Sequence, residues 1–167
     1  EGRKVHKEPR YIHWDLDAAE KNGYEHFMQK EIHEQPRAVR DTLSAYLAPG
    51  ASQVAFPEVA LTAREAQELQ RVVILAMGTA RHAGLVGKEA LQRLAGIPVD
   101  VELASEFRYS DPLLSPKTLA VAVSQSGETA DTLAGMREAR RRGARVLAIT
   151  NVVGSSVARE ADDVIYT

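Results

Sequence analysis

Ser124-Gln125-Ser126-Gly127-Glu128-Thr129 is the stretch whose residue types and spacing could do chemistry, because it follows a buried apolar run and opens a helix. At the carboxyl edge of an open parallel sheet that is where ligands bind. Three hydroxyls, a side-chain amide and a flexible glycine surround a helix N-terminus there, whose free N–H groups and partial positive charge favour an anion. Phosphate is the expected ligand of a Ser-x-Ser-Gly-x-Thr pattern in that setting. The bland alternative is that Ser124 ends the strand and Ser126 caps the helix. The stretch is neither a P-loop, lacking the Gly-Lys-Ser ending, nor a dinucleotide fingerprint, having one glycine.

A second loop, Met77-Gly78-Thr79-Ala80, has the same context after an earlier apolar run. Gly78 lets a backbone or ligand approach closely, and Thr79 can cap or bind. Asn151-Val-Val-Gly-Ser155-Ser156 is a third such loop, where capping by a serine competes evenly with ligand contact. Other chemistry-bearing residues read as structural. His6, His13, His26, His33 and His82 have no metal-ligand spacing. Glu31 and Glu34 beside His33 suggest a helix face. Arg140-Arg141-Arg142 closes a helix, where cations complement its dipole. Glu102, Glu106 and Arg108 fall in or after an extended run with no assigned role.

The elements that must position these loops are legible as alternation. Val72–Leu75, Val99–Leu103, Leu119–Val123, Val146–Ile149 and Val164–Tyr166 are apolar, β-branched runs. Helical segments at Ala80–Leu94, Thr129–Arg142 and Ser155–Ala161 lie between them, two of them followed by Gly96 and Gly143. Buried strands alternating with helices predict an α/β fold, a doubly wound five-stranded parallel sheet. With strand order 2-1-3-4-5, the loops after the first and third strands line one crevice. Upstream, the spacing predicts two short helices between Tyr24 and Leu47, meeting at Gln35-Pro36. Thr62 and Glu65 form a capping-box pattern for a further helix. Residues 1–22, polar with scattered Tyr11 and Trp14, read as a linker or arm. The last strand meets the C-terminus at Thr167, so the chain reads as part of a longer polypeptide.

The 167 residues suffice for one domain plus an arm. A net charge of -2, from 21 basic and 23 acidic residues, gives no field that would gather nucleic acid or an anionic membrane. No cysteine means no disulfide framework, thiolate metal site or cysteine nucleophile. No apolar run approaches the roughly 20 residues of a membrane span. These features point to a cytoplasmic protein with a small-molecule or protein partner, without metal or cofactor.

Four segments then carry a resemblance: Tyr24–Pro36 (YEHFMQKEIHEQP), Ile97–Tyr109 (IPVDVELASEFRY), Ser124–Leu133 (SQSGETADTL) and Asn151–Ser156 (NVVGSS). In this order, over nearly the whole chain, they resemble the glutamine:fructose-6-phosphate amidotransferase family, also called glucosamine-6-phosphate synthases. The resemblance implies that residues 1–22 link to a glutaminase domain and that 23–167 form the first of two sugar-isomerase (SIS) subdomains. It implies that Ser124, Gln125, Ser126 and Thr129 hold the phosphate of fructose 6-phosphate or glucosamine 6-phosphate, with Thr79 beside them. Gly78, Gly127 and the backbone of Ala80 would complete the cradle. Ala80 stands where the family usually has a phosphate-binding serine, and Met77 where a cysteine is common. In the family the catalytic glutamate, lysine and histidine lie beyond the end of this chain and the glutaminase cysteine before its start. No catalytic residue is therefore expected here, the isolated chain is expected to be inactive, and a homodimer is expected. A sugar-phosphate sensor, or another SIS isomerase or deaminase, are the alternative readings.

Overall fold

The computed structural model describes residues 20–48, 50 and 52–167. Tyr11, Trp14, His6, His13 and most of the expected linker lie outside the described residues. The chain divides into two units, residues 1–45 and 46–167.

The first unit carries most of α1 (Phe27–Tyr46), one helix where two were expected. Pro36 sits inside it. Proline removes one i→i−4 hydrogen bond, which costs about 3 kcal/mol in a helix interior. The apolar positions Ile32, Val39 and Leu43 nevertheless keep one helical phase across the proline, so the helix pattern outlasts the local defect. Lys30, buried at its start, donates to the Glu20 carbonyl and pairs with Glu34 at 3.8 Å. His33 stacks on Tyr24, with ring centroids 5.4 Å apart.

The second unit contains α2 (Ala63–Glu68), β1 (Arg71–Ala76), α3 (Gly78–Ala95), β2 (Val99–Leu103), α4 (Ala104–Phe107), β3 (Thr118–Val123), α5 (Ala130–Arg141), β4 (Arg145–Thr150), α6 (Ser156–Glu160) and β5 (Asp163–Tyr166). The sheet is parallel throughout, in the expected order β2-β1-β3-β4-β5. The capping box at Thr62 and Glu65 is present, with both reciprocal bonds made. α3 starts two residues earlier than expected, which moves Thr79 and Ala80 into its first turn.

Connection handedness decides which face each helix covers. Only the β1–β2 step runs toward the β2 edge; the others run the opposite way. Right-handed crossovers therefore set α3 on one face and the remaining crossover helices on the other. The packing agrees. Ala104, Phe107, Met136, Ala139 and Val157 form one core with Val73, Leu75, Ala120, Val146 and Ala148. Val72, Ile74, Val99, Leu119 and Val121 form the opposite core. There α3 comes down close enough that a Cβ on Gly84 would lie 2.9 Å from the Ile74 side chain. Beyond α3 this face opens into an apolar groove that reaches Leu147, Ile149 and Ile165.

The β5 edge is closed by the segment preceding α2. The Tyr46 hydroxyl donates to the Tyr166 carbonyl (2.7 Å) and accepts from its N–H (2.8 Å). Asp163, 1% exposed, accepts from Arg145 at 2.6 and 3.0 Å and from the Ala60 N–H at 2.7 Å. The Arg145 guanidinium holds the Asp163 carboxyl below its ordinary range. Among the described residues no helix is long and apolar enough to cross a membrane.

Candidate functional site

Register brings two of the three sequence-predicted loops side by side. Ala76 at the end of β1 pairs with Val123 at the end of β3, and Val123 pairs with Ile149 near the end of β4. The residues that follow therefore emerge together at the carboxyl edge, flanking the point where the strand order reverses.

In the β3–α5 loop the backbone is held from beneath. Ser124 is 3% exposed; its N–H donates to the Ile149 carbonyl (3.1 Å), and its hydroxyl accepts from the Gly127 N–H (3.1 Å). The same hydroxyl lies 3.0 Å from that of Thr129. Only one proton is needed for that contact, so the pair keeps one O–H free to donate elsewhere. The Gln125 carbonyl accepts from the Asn151 N–H (3.1 Å) and the Thr150 hydroxyl (3.3 Å), and the Gly127 carbonyl accepts from the Val157 N–H (2.9 Å). Gly127 has φ +65°, and a Cβ there would lie 2.0 Å from the Ser155 hydroxyl oxygen and 2.4 Å from Ser155 Cβ. Glycine is thus required twice, for its conformation and for the close approach.

What the loop offers outward is different. Gln125 and Ser126 are exposed. Ser126 accepts from the Glu128 N–H (3.2 Å), which closes a small turn ahead of the helix. It does not cap α5: the N-cap is Thr129, which makes no side-chain cap bond. The first amides of α5 thus lack a side-chain acceptor and, with the positive end of the helix dipole, favour an anion. α3 starts the same way. Met77 is its N-cap without a side-chain bond, Gly78 has φ +53°, Gly78 and Thr79 are exposed, and Ala80 is half-buried. No hydrogen bond among the described residues joins the two loops.

Sequence reasoning missed Glu128. Its carboxylate accepts from the Ser156 N–H (2.7 Å) and so caps α6 from a different loop, while Ser155, the N-cap, makes no side-chain cap bond. The Ser156 hydroxyl and this N–H together hold the Glu128 carboxyl below its ordinary value. A local pattern cannot report a cap whose two partners are 28 residues apart. The Ser155 hydroxyl is buried with no hydrogen-bond partner.

The remaining candidates are accounted for by packing and pairing. Arg140 pairs with Asp162 at 2.7 Å, Arg141 and Arg142 pair with Glu138 at 2.7 and 2.6 Å, and Arg142 also reaches Asp111. Held between two guanidinium groups, the Glu138 carboxyl is lowered to about 2. His26 and His82 are exposed. Glu102 and Glu106 are exposed, and Arg108 lies over the Tyr109 ring. Among the described residues no group of three or more His, Asp or Glu side chains could hold a metal ion.

An open parallel α/β sheet with this strand order belongs to the doubly wound α/β domains, in which ligands bind outside the carboxyl ends of the strands at the switch point. The SIS domain family model matches residues 67–167, more than half of the chain, and the chain belongs to that family. It is 60% identical over 166 residues to glutamine–fructose-6-phosphate aminotransferase (isomerizing) of Symbiobacterium thermophilum, and 54% identical over 167 residues to the enzyme of that name from Clostridium acetobutylicum. These alignments cover 99% and 100% of this chain and 27% of each relative, so the chain spans about a quarter of their length. Among solved structures, the C-terminal domain of glucosamine-fructose-6-phosphate aminotransferase from Francisella tularensis superposes with a TM-score of 0.77 at 39% identity, covering 89% of this chain and 41% of that one.

Proposed function

We propose that this chain is the sugar-phosphate-binding part of the isomerase half of a glutamine–fructose-6-phosphate aminotransferase, with 23–167 its first SIS subdomain and 1–22 a linker. The observation that carries the reading is the loop pair at the switch point. Ser126, Gln125 and Thr79 stand exposed beside two helix starts without side-chain caps, and the Ser124–Thr129 hydroxyl pair has a proton to spare. The names of the relatives supply fructose 6-phosphate, and the family resemblance adds the product, glucosamine 6-phosphate. Hydroxyls, backbone N–H groups and helix ends can hold a phosphate dianion by charge-assisted hydrogen bonds without a metal.

The chemistry of the whole enzyme divides accordingly. Nitrogen transfer and ketose-to-aldose isomerisation need an ammonia source and a base that moves a proton between adjacent carbons. This chain supplies the anchor that fixes the sugar for those steps, and groups elsewhere in a longer polypeptide supply the base. A cytoplasmic setting and a dimer of isomerase halves belong to the same proposal.

The test is an amide-resolved NMR titration of the 167-residue chain with glucosamine 6-phosphate, with inorganic phosphate and glucosamine as separate probes. Saturable shifts at Thr79 and Ser124–Thr129, stronger for the sugar phosphate than for phosphate alone, are expected. Unmoved signals in a folded chain would count against the loop as a ligand site. Formation of glucosamine 6-phosphate by the isolated chain would overturn the proposed division of labour.

A further inference from the structure

The face of the sheet that carries α3 is only partly covered. Gly84 closes on Ile74 and Val101, which sets α3 over β1 and β2. Over β3, β4 and β5, Val121, Leu147, Ile149 and Ile165 floor an apolar groove of about 900 Å³, with Gly87 and Leu91 of α3 as its wall. Parallel sheets are buried on both faces, so aliphatic side chains on three adjacent strands call for cover. Neighbouring strands lie about 4.8 Å apart, which makes the strip from β3 to β5 about 10 Å wide, the width of one helix. Set beside α3, such a helix stands about 10 Å from it, an ordinary spacing for packed helices.

The path of the chain says what supplies that helix. The outer edge of β5 is taken: the Val164 N–H donates to the Glu58 carbonyl (3.3 Å), and the Tyr46 hydroxyl bonds to both the N–H and the carbonyl of Tyr166. No further strand can pair there. The Thr167 N–H donates to the Thr150 carbonyl (3.0 Å), so the chain follows β4 to the carboxyl edge of the sheet. A continuation must turn at that edge and return over one face, and on one of the two faces α4, α5 and α6 already pack in the core. With the β5 edge closed, a return can run only toward the β2 edge, the direction of the β1–β2 step. A right-handed connection in that direction lies on the α3 face. Handedness and the open groove therefore select the same face. The chain spans 27% of each relative named above, so the longer polypeptide has ample length to supply the segment.

We propose that the segment directly following Thr167 in the longer polypeptide is an amphipathic helix that docks its apolar side in this groove, antiparallel to the strands. The inference rests on the reading of this chain as part of a longer polypeptide, and not on the identity of its ligand. Strands of six residues run about 20 Å, so about 12 helical residues span the groove. No charged side chain lines it, so the docked side of the helix is aliphatic and uncharged.

Because the chain has no cysteine, thiol labelling can report on single positions. Leu91→Cys on the groove wall and Leu113→Cys in an exposed loop are each made in two backgrounds: the 167-residue chain, and the same chain carried on through about 30 further residues of its polypeptide, enough for a turn and a helix of that length. Labelling is read by peptide mass. In the extended chain Leu91→Cys is expected to react about tenfold or more slowly than in the 167-residue chain, with Leu113→Cys equal in both. The unsubstituted chains give a second readout, fluorescence of a dye that binds apolar surface, which should fall on extension. Equal labelling of Leu91→Cys in the two backgrounds, or undiminished dye fluorescence, would overturn the proposal. Protection already present in the 167-residue chain would overturn it too, assigning the groove to a second copy if dilution relieves the protection and to this chain itself if it does not. Neither readout uses a ligand, so failure here leaves the sugar-phosphate reading standing, and failure of the titration above leaves this inference standing.

Discussion

The loops after β1 and β3 occupy equivalent places at the sheet edge and are built oppositely. The β3–α5 loop is tied down: Ser124, Gln125, Gly127 and Glu128 each bond to the β4–α6 segment or to the loop itself. The β1–α3 loop has no side-chain cap, and a Cβ on Gly78 would meet nothing within 4 Å. Both begin a helix whose N-terminus lacks a side-chain cap. One loop is therefore held by bonds to its neighbour, and the other has open space beside its backbone. In the function proposed above, the held loop would grip the phosphate and the open space would admit the sugar.

Substituting alanine at the two glycines is the sharpest way to break that comparison. Gly127→Ala adds a methyl 2.0 Å from the Ser155 hydroxyl oxygen at a φ of +65°, so strain and overlap act together. We expect about 3 kcal/mol or more of lost stability in urea unfolding. A loss below about 1 kcal/mol would mean that the loop is not pinned. Ser124→Ala removes the acceptor of the buried Gly127 N–H, with an expected loss of about 2 kcal/mol by the same measurement. Gly78→Ala meets open space, so only its φ of +53° is penalised and about 1 kcal/mol is expected. Equal losses at Gly78 and Gly127 would erase the distinction between the loops.

The same contrast explains how far the sequence could be read. Strands and their order were legible because Val72–Leu75 and Leu119–Val123 are short apolar runs, followed by loops and helices at βαβ spacing. The Thr62–Glu65 cap was legible because both partners lie within one turn. The continuity of α1 through Pro36 was not, since proline is a local signal and the phase of the apolar stripe is a longer one. At the site, Ser124, Gln125, Ser126, Thr129 and Thr79 could be picked out by type and context. That Ser124 is buried and Ser126 exposed could not, because it depends on Thr150 and Ser155 arriving beneath the loop from β4 and beyond. Glu128 gave no signal for the same reason.

Glu128 provides the smallest and most selective test of the pinned loop, since the β1–α3 loop has no titratable counterpart to it. Its folded-state carboxyl titrates below the ordinary value of 4.5 because it accepts hydrogen bonds from the Ser156 hydroxyl and N–H. A carboxyl whose pKa is depressed by folding adds stability above the unfolded value, and that stability is lost as pH falls through the folded one. Glu128→Gln keeps an oxygen that can accept the same N–H and removes only the charge. The parent should therefore be slightly more stable than the variant near neutral pH, and the two unfolding curves should converge as the solution is acidified below about pH 4. A difference that stays constant across that range would show that the carboxylate's charge contributes nothing to holding the β4–α6 segment against the cradle.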